Sequence, residues 1–190
     1  MAALEMTRRS MALLLPKFAM ATAMATALAA TLQLSACDEP PADDDKFAKV
    51  TIKDKDFKLE LALDDTKRFK GLSDRKEIAK DGGMLFVFKR PEEREFVMRD
   101  CPIPIDIIFL DGSGRVTAKH KMKVEEPRKA DEPKTDDPTQ DKYEQRLKRY
   151  SSKYPAQFVI ELAGDTLDTL EVKEGDKVKL DTVALKKRAK

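Results

Sequence analysis

The chain has 190 residues, 37 of them basic and 35 acidic, with one histidine, two cysteines and no tryptophan. A net charge of +2, supplied almost evenly by both signs, argues against a nucleic-acid partner. One histidine and two cysteines fall short of an ordinary zinc ligand set, and no cofactor motif is present.

The first element is an export segment. Arg8, Arg9 and Lys17 form a positive n-region, and residues 18–32 are all Ala, Leu, Met, Thr or Phe. Leu34-Ser35-Ala36 then precedes Cys37. This is the layout of a secretory signal, too short for a membrane span of about 20 residues. The run Leu-Ser-Ala-Cys resembles the bacterial lipobox. That resemblance implies cleavage before Cys37, acylation of its thiol and a membrane partner reached through the lipid. The expected location is the cell envelope, facing the periplasm or the outer surface. Residues 1–36 carry three bases and one acid, so cleavage leaves 34 of each and no net charge. It also removes five of the eight methionines, and with them the case for a methionine-rich copper site.

Residues 37–47 read as an acidic, Pro-containing flexible tether, and 48–182 as a single β-rich domain. Val50 and Ile52, then Phe57, Leu59, Leu61 and Leu63, alternate with polar residues, which predicts a hairpin through residues 54–56. Asp64 or Asp65 caps a short helix over 66–72. Gly82-Gly83 leads into Met84–Phe88, an apolar run that predicts a strand buried on both faces. Further strands follow over 95–99, 105–110 and 115–121, the last after the turn Asp111-Gly112-Ser113-Gly114. The insertion at 121–153 holds ten basic and eight acidic residues and three prolines, and is expected to be a mobile charged loop. Within it Tyr143, Leu147 and Tyr150 share the face of a short helix. Residues 157–162 and 177–181 predict two more strands, with a helix over 165–170 between them. Residues 183–190 predict a solvated basic tail. No βαβ alternation is evident. The fold class expected is mainly β, a compact antiparallel sandwich or partly open barrel with two or three short helices.

No catalytic constellation emerges, and no catalytic residue is assigned. His120 reads as a solvated strand-end residue. Cys101 follows Arg99, whose charge would activate a thiol, but it also suits a small residue ending a strand. Asp106 interrupts the apolar strand Ile105–Phe109, so it must face solvent, fix a loop or anchor a ligand. Arg75, Met98, Arg99 and Asp106 are together the candidate ligand cleft.

Several motifs occur in one order. They are Phe69-Lys70-Gly71-Leu72-Ser73-Asp74-Arg75, Gly83-Met84-Leu85-Phe86-Val87-Phe88 and Phe96-Val97-Met98-Arg99-Asp100-Cys101. Pro102-Ile103-Pro104-Ile105-Asp106-Ile107 and Pro155–Leu162 with Gly164, Gly175 and Asp176 follow. Over residues 50–181 the chain resembles the family called domain of unknown function 192. The resemblance implies a compact, mostly β, often exported domain without an established activity. Val97 stands where that family commonly has Trp, and Arg99-Asp100-Cys101 where it has Lys-Asn-Thr. The first expectation is therefore an envelope lipoprotein whose domain binds a small ligand, peptide or protein without catalysis. The alternatives are a hydrolase using Asp106 with Arg75 or Arg99, and an interaction protein that recruits a partner through 121–153.

Overall fold

A computed structural model describes residues 45–135, 137 and 139–190. The export segment, Cys37 and residues 38–44 lie outside the described residues. β1 (Phe47–Ile52) and β2 (Lys55–Ala62) form the expected antiparallel hairpin, with Ile52 opposite Lys55 across a tight turn at Lys53 and Asp54. Lys53 takes φ +54° there. α1 (Asp65–Lys70) is capped by Asp64, whose side chain accepts the Lys67 N–H. It ends at Gly71, which takes φ +51°. β3 (Met84–Glu92), β4 (Glu95–Phe96), β5 (Ile105–Leu110) and β6 (Val116–Met122) follow. Next come α2 (Lys142–Arg146), β7 (Tyr150–Ser151), β8 (Ala156–Ala163), α3 (Thr166–Leu170) and α4 (Thr182–Arg188).

The fold is mostly β, and open rather than barrel-like. Six strands form a mixed sheet in the order β1-β2-β3-β8-β5-β6, and β4 pairs with β7 in a second, two-stranded sheet. β8 is central and antiparallel to both β3 and β5. One pairing departs from the antiparallel expectation. β2 and β3 run parallel, so β2-α1-β3 is a crossover unit. Its helix has only six residues, and most of the connection is irregular, so no helical period announces it.

Strand alternation sends side chains to two covered faces. Leu85 and Val87 of β3, Ile108 and Leu110 of β5, and Phe158, Ile160 and Leu162 of β8 pack on one face with α3 and α4 through Leu167, Leu170 and Leu185. Met84 and Phe86, Ile105, Ile107 and Phe109, and Val159 pack on the other with Leu72, Met98, Cys101 and Tyr150. The stretch over 177–181 is not a strand. It contributes two isolated bridges, Thr51 to Lys179 and Arg115 to Lys177. The segment expected as a solvated tail forms α4, capped by Asp181, with Leu185 buried and the Lys190 N–H donating to the Leu63 carbonyl. There are four short helices in all among the described residues.

The charged insertion packs against the domain. Tyr143, Leu147 and Tyr150 are buried, as their spacing predicts. Arg128 donates to both carboxylate oxygens of Asp141 at 2.8 and 2.9 Å, and Arg146 to those of Glu132 at 2.7 and 3.1 Å. Both guanidinium groups lie over the Tyr143 ring, at 4.4 and 4.9 Å. The alternating charges are thus paired with one another.

Candidate functional site

The segment after α1 and the segment after β4 lie side by side over the second face of the sheet. Ser73 Oγ donates to the Arg99 carbonyl at 2.7 Å, and the Asp74 N–H to the Asp100 carbonyl at 2.7 Å. Between them opens a cavity of about 380 Å³. Phe86, Phe96, Gly71, Cys101 and Glu161 line its inner part, and Phe69, Phe88, Arg94, Arg99 and Arg149 its mouth.

Glu161 is the unusual member. It projects from β8 between Met84 and Ile107 of the neighbouring strands, onto the face covered by Leu72 and Cys101. It is only 5% exposed, and its Oε2 has no hydrogen-bond partner among the described residues. Burial pushes its carboxyl up to about 8, outweighing the opposing charge of Arg75. Gln157, the other buried polar residue of the strand, contrasts with it. Its amide donates at 3.2 Å to the Phe88 and Lys89 carbonyls, next to where the β3–β8 register shifts. A Cβ on Gly71 would lie 3.5 Å from Phe86 Cζ and 3.6 Å from Glu161 Oε2, so the absence of a side chain there leaves the floor open.

Beneath the cavity runs a row of rings. Phe86 meets Phe96 edge-on at 5.1 Å, and Phe96 meets Phe109 at 5.6 Å. His120 and Tyr150 continue the row. His120 is half-buried, and its Nε2 lies 2.7 Å from the Ser151 carbonyl. The cations of the mouth are mostly committed. Arg99 donates to the Glu144 carboxylate through Nε and through Nη2, the latter at 2.8 Å, and covers the Phe69 ring at 4.2 Å. Arg68 pairs with Asp65 at 2.7 Å, and Lys70 with Asp74.

The structure separates the four residues grouped from the sequence. Arg99 lines the cavity. Arg75 forms a two-pronged ion pair with Glu60, at 2.5 and 2.7 Å, in a separate depression with Phe47 and Met84. Met98 is buried in the core. Asp106 lies on the opposite face of the sheet, where its Oδ2 accepts the Leu167 N–H at 2.6 Å and fixes the start of α3. Alternation along β5 makes this unavoidable, since Ile105 and Ile107 occupy the face nearer Arg99. Cys101 is buried and donates to the Arg99 carbonyl at 3.3 Å; burial pushes its thiol up to about 12. That is the reverse of an activated nucleophile. Glu161 was legible only as the polar position of an alternating strand, which ordinarily faces solvent. No local signal shows that a second layer covers it. Among the described residues no group of three or more His, Cys, Asp or Glu could hold a metal ion, and no helix is long and apolar enough to cross a membrane.

Two solved structures share this fold. One is of a protein from Sinorhizobium meliloti 1021, provisionally described as a transcription regulator. It is 24% identical over 72% of this chain and 94% of its own, with a TM-score of 0.55. The other, from Novosphingobium aromaticivorans DSM 12444, is of unknown function. It is 27% identical over 70% of this chain and 84% of its own, with a TM-score of 0.56. No curated protein matches the chain. Residues 48–180 match the model of domain of unknown function 192, described as an uncharacterized ACR, and that match takes in all of β2 through β8. The chain belongs to the DUF192 family.

Proposed function

We propose that the protein is an exported lipoprotein, held at the cell envelope through Cys37, whose β domain binds a small organic ligand in the cleft floored by Glu161. The observation that carries the binding reading is the Glu161 carboxyl. It is buried, without a partner at Oε2, and forms part of the wall of a cavity large enough for a small molecule. Leaving a buried polar atom unpaired costs about 1–3 kcal/mol, and a ligand that pairs it recovers that cost on binding. The anchoring reading rests on the layout of residues 8–37 alone.

A hydrolase that uses Asp106 with Arg75 or Arg99 gains no support from this arrangement. The carboxylate and the cations stand on opposite sides of the sheet, and Asp106 is engaged by α3.

Amide chemical-shift mapping of the protein against a fragment library tests the binding reading. Hits are expected to move the signals of Gly71, Phe86, Phe96 and Cys101; a library whose hits all map elsewhere refutes it. Labelled palmitate should enter the wild type and not a Cys37→Ala variant, and equal labelling of both ends the lipoprotein reading.

A further inference from the structure

Two groups in the cleft are incompletely paired within the protein. Glu161 is one. The other is Arg94, at the mouth. Its guanidinium stacks on Phe88 at 3.5 Å and donates to the Ala156 carbonyl at 3.1 Å and the Arg90 carbonyl at 2.8 Å. The nearest carboxylate it meets is Glu92, at 3.5 Å and on the solvent side. Burial disfavours its charge and outweighs the opposing pull of Glu92, with a smaller contribution from Arg68 in the same direction as burial. Arg149, also lining the cavity but exposed to solvent and so the weaker of the two, donates to the Glu144 carbonyl and forms no ion pair among the described residues. The remaining cations of the rim, Arg68, Lys70 and Arg99, each have an acid of their own. Glu93 and Glu95, the acids that line the mouth, are exposed to solvent and so weigh less on a bound charge. The inner wall between the two ends is apolar and aromatic, with Phe86 and Phe96 at right angles.

We infer that the cleft takes a small organic anion with a flat apolar body, its negative end held by Arg94 and Arg149 and an uncharged hydrogen-bonding group at its far end meeting Glu161. The inference rests on the cleft being the binding site. A half-buried guanidinium whose carboxylate contact is one long bond to the exposed Glu92 is the strongest anion hook the mouth offers, since charge-assisted bonds to arginine are about twice as strong as neutral ones. At the floor, an acid group in its neutral form both donates and accepts, and so matches a hydroxyl or an amide. An ammonium group would pass a mouth lined by five cations to reach it.

Three probes of one shape separate the two ends: 4-hydroxybenzoate, its uncharged amide 4-hydroxybenzamide, and benzoate, which lacks the hydroxyl. Their affinities are read from amide shift titrations of the whole protein. 4-Hydroxybenzoate should bind about tenfold tighter than either of the others, the factor expected for one charge-assisted or one buried hydrogen bond. Arg94→Gln should bring the acid down to the level of the amide. Glu161→Leu should bring it down to benzoate, while Glu161→Gln keeps part of the gain. If the amide matches the acid, with shifts confined to the cleft, the anion class is wrong; if benzoate matches it, the pairing of the far end with Glu161 is wrong; in either case the cleft survives. If none of the three moves the cleft signals, the binding reading falls with it.

Discussion

A carboxyl held neutral inside the fold leaves a signature in stability against pH. Glu161 carries its proton up to about pH 8 in the native state, whereas an unfolded glutamate loses it near 4.5. Between those values the native state binds one proton more than the unfolded state. Stability therefore falls as pH rises, by about 1.4 kcal/mol per unit from this group. Its contribution is fully present below pH 4.5 and is lost as pH rises through 8. Over the whole window the loss amounts to about 4–5 kcal/mol, a large share of the 5–15 kcal/mol that a domain has. The side chain is 5% exposed and Arg75 is committed to Glu60, so little solvent or counter-charge softens the figure. Glu161→Gln is nearly isosteric and does not titrate. The two proteins should unfold at similar urea concentrations at pH 4.5, and the variant should be the more stable by several kcal/mol at pH 8. Urea melts followed by circular dichroism at pH 4.5, 6 and 8 give the two profiles. Parallel profiles would refute the argument, because they would mean that Glu161 is ionised or solvated in the native protein.

Gly83 enters β3 at φ +144°, and a Cβ there would lie 2.2 Å from the Glu161 carbonyl oxygen. Gly83→Ala should cost more than about 2 kcal/mol in a urea melt, and an unchanged midpoint would show that β3 and β8 can part at that point without penalty. Tyr143→Phe removes the acceptor of the Asp100 N–H, now at 2.8 Å, and should cost about 1 kcal/mol with little change in packing. A stability equal to wild type would mean that water replaces the hydroxyl. In a Cys37→Ser background Cys101 is the single thiol, and its thiol sits at about 12. Alkylation by iodoacetamide at neutral pH should be at least about a thousandfold slower than for free cysteine; a free-thiol rate would show that Cys101 is exposed or activated.

The strands were legible because their alternation or apolar runs are strong. Phe57, Leu59 and Leu61 occupy β2, and Met84–Val87 form a fully buried stretch of β3, as expected. The parts that were not legible depend on what lies above a surface. Leu185, next to Val183 and Ala184 and followed by Lys186, Lys187 and Arg188, gives no periodicity, yet it docks α4 on the first core, with Leu180 and Ala189 packed beside it. Asp106 and Glu161 look alike in sequence, each an acid in an apolar strand. The first is satisfied by the N–H of Leu167, 61 positions along the chain, and the second has no partner at Oε2 among the described residues. Period two assigns each to a face, and only the tertiary covering decides whether that face is wet. For this reason the sequence pattern groups Arg99 with Asp106, whereas the carboxyl that lines the same cavity as Arg99 is Glu161.

The charged insertion shows the same limit from the other side, and it bears on the cleft. Composition alone reads 121–153 as a solvated loop, since mixed charges without a large apolar face cannot offset the entropy of ordering. Here Tyr143 supplies the apolar centre, and Arg128 and Arg146 lie over its ring while each is neutralised by a buried acid, Asp141 or Glu132. Breaking such a pair would strand a buried charge, so the segment holds one geometry even where the net gain from each pair is small. That geometry sets the wall of the cavity. Glu144, on the helix capped by Asp141, receives the Arg99 guanidinium, and Tyr143 Oη receives the Asp100 N–H, where the backbone takes φ +51°. Arg99 is thereby kept over Phe69, which is 67% exposed at the edge of the cleft, and away from the Glu161 carboxyl. The arginine charge that Glu161 does feel is that of Arg75, and the Glu60 carboxylate holds that guanidinium in a two-pronged pair. With Arg75 held by Glu60 and Arg99 by Glu144, neither donates to the floor acid, and its Oε2 stays without a partner, which is the condition on which the binding reading depends.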